Sequence, residues 1–412
     1  MKKILLLSLV ASSILMANGY KIPEASTNSV ALSAANIAHN HNNADQAYFN
    51  PANMVFMSNE NHIEADLMYI GLDNVSYKGT TTDSTGAHPS DESSEKENFI
   101  IPSLHYVSGQ LGDKARVGVS IVVPAGLSKR WEGTQGSKSS EEFTLEVIEV
   151  NPTAAFKVSD TVGIAFGFRI IHSSGVVKLT PSANPLAPAS QDMTGDSLDF
   201  GYNLALAYKP TSEIEIGVTY RSRVDLTIDG SANLEYGAAL PGPTVQAGKY
   251  DVTVDLPIPA TLSVAAAYTF PTKTTLEVVY EKTYWSAYKS LDFNYTHPAA
   301  EGVFGRASTK DWSDTNTFRI GLTQELDSLT LMAGVVFDES PTPEKSLGYE
   351  LPDSDSTSVS LGGRYKLNES IDIGLSGLYS MRDSRKVNNA RLNGEFSGGN
   401  ALIISAGLGY KF

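Results

Sequence analysis

The sequence predicts an all-β fold, a closed 14-stranded antiparallel barrel that spans a membrane, and three observations predict it. The chain ends on a strand in which Leu402, Ile404, Ala406, Leu408, Tyr410 and Phe412 share one parity, and Ser405, Gly407, Gly409 and Lys411 the other. Side chains alternate faces along a strand, so this segment has one face for hydrocarbon and one that is small or polar. A terminal aromatic on the apolar face fits the closing strand of an outer-membrane barrel. The same alternation recurs upstream, with connections that are short and long in strict turn. Beyond the N-terminus no run of some 18 apolar residues occurs, which excludes membrane-spanning helices. A membrane chain without such helices must satisfy its backbone as a closed barrel.

The elements follow in order. Lys2 and Lys3 precede an apolar run from Ile4 to Val10 and the small residues Ala11, Ser12 and Ser13, which predicts a signal peptide over 1–17, cut after Ala17. Asn18 would then be the first mature residue. Residues 18–60 do not read as a strand: 28–44 is rich in Ala, Ser and Asn, with Val30, Leu32, Ile37 and Ala38 weakly spaced for short helices. Composition leaves it either a periplasmic tail or a plug in the lumen.

The barrel is expected over 61–412, with strands near 61–75, 98–109, 113–124, 141–157, 161–178, 196–209, 212–229, 250–270, 273–295, 311–326, 328–339, 355–367, 369–383 and 399–412. The clearest is the seventh. Ile214, Ile216, Val218, Tyr220, Val224, Leu226 and Ile228 are assigned to lipid, and Glu215, Thr219, Arg221, Arg223, Asp225 and Thr227 to the lumen. Short turns fall at 110–112, 159–160, 210–211, 271–272, 327 and 368, and longer loops between them. That is the periplasmic-turn, extracellular-loop pattern, with both barrel ends in the periplasm.

Composition limits the function. Loss of Lys2 and Lys3 with the leader moves the formal charge from −15 to −17, which argues against a nucleic-acid partner. The absence of Cys removes lipoprotein acylation, disulfides and thiol chemistry. The seven histidines show no spacing that pairs one with a catalytic Ser, so an enzyme is not expected. His39 and His41 stand two apart without further ligands, so no metal or cofactor is expected.

Several segments carry a family likeness. They are Gly19 to Ser26 (GYKIPEAS), Asn50-Pro51-Ala52, Pro124-Ala125-Gly126-Leu127 with Trp131, and Tyr220-Arg221-Ser222. Further along come Asp255-Leu256-Pro257, Trp285-Ser286, Asp311-Trp312, Phe337 to Pro341, Leu351-Pro352-Asp353 and the terminal Phe412. In order and coverage the chain resembles the FadL/TodX family of outer-membrane transporters for hydrophobic compounds. The resemblance implies a barrel plugged by an N-terminal hatch over 18–60, passive uptake of fatty acids or hydrocarbons, and lateral release through a kink in the third strand near Val123-Pro124. The expected partners are a hydrophobic solute and outer-membrane lipid and lipopolysaccharide, with a monomer as the working unit.

Candidate site residues follow from both readings. By resemblance Tyr20 reaches the inner ligand pocket and moves when substrate arrives, and Asn50, Pro51 and Ala52 belong to the hatch. Tyr20 could equally be packing, and an Asn-Pro pair readily makes a turn. Lumen parity puts Arg169, Arg221, Arg223 and Arg319 inside, where a guanidinium either forks onto a ligand carboxylate or joins a charge ladder. Tyr284, Trp285 and Tyr288 cluster at a strand end and read as an interfacial girdle or a capture groove at the outer face. Fatty-acid binders of the family can carry a lysine just after the tryptophan that Trp312 matches; Ser313 and Asp314 stand here, which leaves neutral hydrocarbons open. Acidic loop residues such as Asp353 and Asp355 read as solvated. A general porin and a surface adhesin remain the competing functions.

Overall fold

The computed structural model describes residues 19–83, 86–131, 136–182, 189–237 and 245–412, so the signal-peptide reading of 1–17 lies outside the described residues. Antiparallel pairs link strand to strand until the last pairs with the first, which closes a 14-stranded barrel. The strands are β1 (His62–Leu72), β2 (Glu97–Val107), β3 (Ala115–Arg130), β4 (Glu142–Lys157), β5 (Val162–Ser182) and β6 (Ala189–Tyr208). Three follow in two pieces each: β7 (Ile214–Arg221 and Val224–Tyr236), β8 (Val245–Ile258 and Thr261–Thr269) and β9 (Thr274–Thr283 and Ser290–Tyr295). The remainder are β10 (Thr315–Glu325), β11 (Leu329–Asp338), β12 (Ser356–Lys366), β13 (Ile371–Arg382) and β14 (Ala401–Lys411). In β14, Leu402, Ile404, Leu408 and Tyr410 are exposed to the lipid side while Ser405 is buried, as the alternation requires.

The breaks in β7 and β8 change which side is oily. Below the break in β7, Glu215 and Thr219 point inward; above it Val224, Leu226 and Ile228 are buried, and Arg223 and Asp225 are exposed. The expectation that Arg223 lies in the lumen and Leu226 in lipid is therefore corrected. Ser222 and Arg223 interrupt the ladder, and a one-residue slip exchanges the faces of a strand. Pro259-Ala260 does the same in β8: Val252, Val254, Leu256 and Ile258 face inward above it, and Ser263, Ala265 and Ala267 below it. The lower pieces hold 8, 9 and 10 residues in β7, β8 and β9, close to what a tilted strand needs to cross hydrocarbon. The upper pieces stand above the membrane and line an apolar vestibule.

Residues 19–57 fill the lumen. Ser26 caps a short helix, α1 (Thr27–Ala31), in a capping box with Ser29. The Thr27 amide donates to Asp66 at 2.8 Å, and Arg364 holds Asn28 at 3.0 Å and Glu64 at 2.5 Å. The Ile37 and Ala38 amides both donate to Glu277 at 2.7 Å. Where this backbone touches the wall, side chains have no room: a Cβ on Gly334 would lie 2.3 Å from the Leu32 carbonyl carbon, and one on Gly217 2.6 Å from the Ile37 oxygen. These glycines seat the plug.

The long loops are not merely solvated. Strands Val75–Asp83, Gly86–Ser93, Arg385–Asn388 and Leu392–Gly398 form a second sheet, over a core that includes Tyr77, Trp131, Tyr349 and Phe396. Asp353, read as a solvated loop acid, is fully buried and pairs with Arg382 at 2.7 Å, while Asp355 is exposed.

Candidate functional site

The N-terminal segment lies at a defect in the wall. In β3 the register slips between Val122, opposite Glu149, and Ala125, opposite Val147, so Val123 and Pro124 together face the single residue Ile148. This bulge is the kink expected at Val123-Pro124. β2 pairs with β3 only from Leu104 to Val107, opposite Ile121 to Gly118. Above that ladder the two strands part, and they meet again where the Glu95 amide donates to Arg130 O at 3.0 Å and Arg130 pairs with Glu97 at 2.5 Å. Between these ties the two strands share no backbone ladder, a window in the pairing of the wall. The N-terminal chain covers it from inside: Ile22 N–H donates to Pro124 O at 2.9 Å, and Gly126 N–H donates to Tyr20 O at 2.8 Å. Ile22 packs with Met68, Ile70, Phe99, Ile101 and Val123 in one apolar cluster.

Tyr20 sits in an aromatic cage. Its ring centroid lies 4.7 Å from Trp285, 5.8 Å from Trp312 and 6.2 Å from Tyr288, and its hydroxyl donates to Pro257 O. Burial, with Tyr288 adding to it, raises the phenol well above its ordinary value, so it stays a donor. Gly19 precedes it at φ +72, and a Cβ there would stand 2.6 Å from Trp285. Only glycine enters that turn without displacing the cage. The Gly19 amide donates to the buried Asp353 carboxylate, which ties the segment to the outer loops.

Two cavities flank this segment. The outer one, about 20 Å³, is lined by Tyr20, Leu127, Leu145, Leu256, Tyr288 and Trp312, with Lys310 and Glu350 as its charged members. Lys310 Nζ lies 2.5 Å from Glu350. Burial raises the Glu350 carboxyl, but Lys310 outweighs it and holds the group below its ordinary value. The inner cavity, about 80 Å³, is lined by Lys21, Ile22, Tyr48, Pro124, Arg169 and Arg319 among others. Ligand pockets for drug-sized molecules run to roughly 300 Å³ or more, so both are smaller than such a pocket. Residues 20–22 are the partition between them.

The inner cavity is charged, and its charges largely pair with one another, while Arg319 Nε and Nη2 make no hydrogen bond among the described residues. Arg169 forks onto Glu149 at 2.9 and 3.1 Å, and Arg221 pairs with the same carboxylate while stacking 4.2 Å over Tyr48. Lys21 holds Glu281 at 2.6 Å, with Arg319 at 3.5 Å from it. Arg169→Met should therefore leave Glu149 short of a partner in a dry site and destabilise the barrel by about 3 kcal/mol. Arg223→Met, at an exposed position, should change it by less than about 0.5 kcal/mol. Urea midpoints for refolding into lipid vesicles would compare them, and equal midpoints would remove the ladder role.

The structure thus gathers Tyr20, Pro124, Arg169 and Arg319 around the cavities. Asn50, Pro51 and Ala52 lie elsewhere in the plug: the Asn50 side chain accepts from Ala52 N at 3.1 Å and donates to Ile37 O at 2.8 Å and to Leu206 O at 3.2 Å. Trp285 and Tyr288 are buried in the vestibule, so they form no girdle against lipid, and Tyr284 is half-buried beside them. His39 binds Glu215, with the His41 ring 4.6 Å away, and among the described residues no group of three or more His, Cys, Asp or Glu converges for a metal. Sequence reasoning used Trp312 only as the marker of a neighbouring position, and it missed Lys310 and Glu350 as pocket residues. The tryptophan of the Asp311-Trp312 pair was the available signal.

Comparison with known proteins places the chain. Residues 8–412 match the model of a family described as "Outer membrane protein transport protein (OMPP1/FadL/TodX)". The chain is 26% identical over 215 residues to a 47 kDa outer membrane protein of Pasteurella multocida, covering 50% of this chain and 47% of that one. Outer membrane protein P1 of Haemophilus influenzae is 24% identical over 403 residues, 85% of this chain and 84% of its own. A long-chain fatty acid transport protein of Escherichia coli is 23% identical over 62% of this chain and 63% of its own. Among solved structures, a FadL homologue of Pseudomonas aeruginosa superposes with a TM-score of 0.84 at 20% identity, covering 96% of this chain and 100% of that one. The toluene transporter TodX of Pseudomonas putida gives 0.70 at 17%, covering 95% and 98%. The chain is an outer-membrane β-barrel that belongs to the OMPP1/FadL/TodX family of transport proteins.

Proposed function

We propose that the protein takes up hydrophobic solutes passively, holding them in the outer cavity and releasing them sideways through the window between β2 and β3. The observation that carries this is the coincidence of three features on one segment. Residues 20–22 wall off an apolar vestibule, cover the window, and cap a charged inner cavity. An apolar molecule gains about 0.8 kcal/mol per CH₂ on leaving water. A downward route past Arg169, Glu149 and Glu281 and then through the plug would reverse that gain. The window, lined by Phe99, Ile101 and Val123, keeps it. Relatives named for fatty-acid and toluene transport support a hydrophobic solute. The receiving partner is outer-membrane lipid. A single closed barrel, with no free strand edge to pair, supports a monomer as the working unit.

Tyr20 links capture to release. A ligand shifts only an equilibrium whose two states differ in affinity, and the caged ring occupies space that a solute needs. Tyr20→Ala should leave the barrel folded, because stability resides in the closed ladder. It should change solute affinity and uptake by several-fold, roughly the worth of one buried aromatic contact. The check is uptake of a labelled hydrophobic substrate at matched surface levels, together with single-channel conductance, which should stay near zero in the parent protein. A steady ion current would instead mark a porin.

A further inference from the structure

The outer cavity has a charged pair in an otherwise apolar lining. Lys310 comes from the loop before β10 and is 5% exposed; its amide donates to Lys289 O at 2.8 Å, and its carbonyl accepts from the Ser346 hydroxyl at 2.6 Å. These ties fix the Lys310 backbone, and its side chain is buried against the cavity wall. Glu350 comes from the loop between β11 and β12, where Gly348 bridges Leu351 in a tight turn. Its carboxylate lies folded over Gly348, where an added Cβ would meet Oε2 at 2.3 Å. The two partners thus come from separate loops, and they meet at 2.5 Å on the cavity wall.

We propose that the Lys310–Glu350 pair sets the specificity of the outer cavity for neutral apolar solutes, because Glu350 already occupies the place on the Lys310 ammonium that a ligand carboxylate would need. This rests on the reading of the cavity as the solute site. An incoming carboxylate must either stay unpaired in the apolar cavity or displace the Glu350 side chain, 23% exposed, from the ammonium, so it gains one ion pair only by breaking another. An alkane, an aromatic hydrocarbon or a fatty alcohol incurs neither cost. Removal of the Glu350 charge reverses the preference, since the freed ammonium then offers a charge-assisted bond worth roughly tenfold or more in affinity.

Dodecanoic acid and dodecan-1-ol titrated at pH 8 onto the full mature protein in amphipol, with Trp285 and Trp312 fluorescence as the readout, test this. The parent protein should bind the alcohol at least as tightly as the acid. Glu350→Gln should move the ratio toward the acid by about tenfold or more, and Glu350→Gln combined with Lys310→Met should bring it back. Acid preferred by the parent, or a ratio that Glu350→Gln leaves unmoved, overturns the assignment while leaving solute binding intact. If neither ligand perturbs the fluorescence of any variant, the cavity is not the solute site, and the selectivity falls with it.

Discussion

Cysteines replacing Lys21 and Ala125 should stop transport by about tenfold or more when oxidised and release it on reduction, because the cross-link removes one of the two states. Lys21 and Ala125 face each other across the N-terminal segment and β3, between the bonds from Ile22 to Pro124 and from Gly126 to Tyr20. Neither residue of the pair bonds the other through its backbone. In that antiparallel arrangement Cα atoms stand about 4.5 Å apart, within the range a disulfide spans without strain. The chain has no cysteine of its own, so only the intended bridge can form within it. Loss of the Lys21–Glu281 ion pair is common to both redox forms, and the reduced protein is therefore its own control. Uptake of a radiolabelled hydrocarbon before and after dithiothreitol gives the answer. A fully cross-linked protein that transports at the reduced rate would show that this segment does not move.

Deletion of Pro124 should close the window and abolish uptake in a barrel that still folds. Val122 and Ala125 both point inward, so one residue fewer between them restores plain alternation without turning either half of β3 over. The upper half of β3 would then continue straight along β2 and pair beyond Ile121. We expect loss of transport by about tenfold or more, with binding of solute to the outer cavity retained, since Leu127 and Leu145 keep their places. Binding and uptake measured side by side separate these effects. Full uptake in the deletion variant would mean that solute leaves by another route.

Much of this molecule was legible in its sequence, and the parts that were not share a physical cause. The closing strand and the turn pattern could be read because lipid-facing parity is continuous through a single membrane crossing. In β7 the parity of Ile214, Ile216, Val218 and Val224, Leu226, Ile228 runs on unbroken, yet the side it denotes changes at Ser222-Arg223. Alternation reports that two faces differ, not which one meets lipid. Pro259 in β8 was the readable warning, because proline in a central strand argues for an interruption. The same cause misdirected Trp285: at a strand end it reads as girdle, but β9 breaks there and turns it inward. Tyr20 and Pro124 entered through resemblance, since no local pattern marks a residue that works by plugging a cage or opening a ladder. Lys310 and Glu350 are 40 residues apart on two loops, and only the fold brings them together.

The two interruptions in β7 and β8 also divide the labour of mutation. Below them an outward residue answers to the bilayer and an inward one to the plug, so both are held fixed by partners that do not change. Above them the inward residues, Leu226, Leu256 and their neighbours, answer to the vestibule and, of the N-terminal segment, to Tyr20. A substitution there can reshape the cavity while leaving membrane insertion and the seating of the plug beyond Tyr20 untouched. Diversification of solute range can therefore proceed in the upper halves at little risk to the anchored halves beneath them.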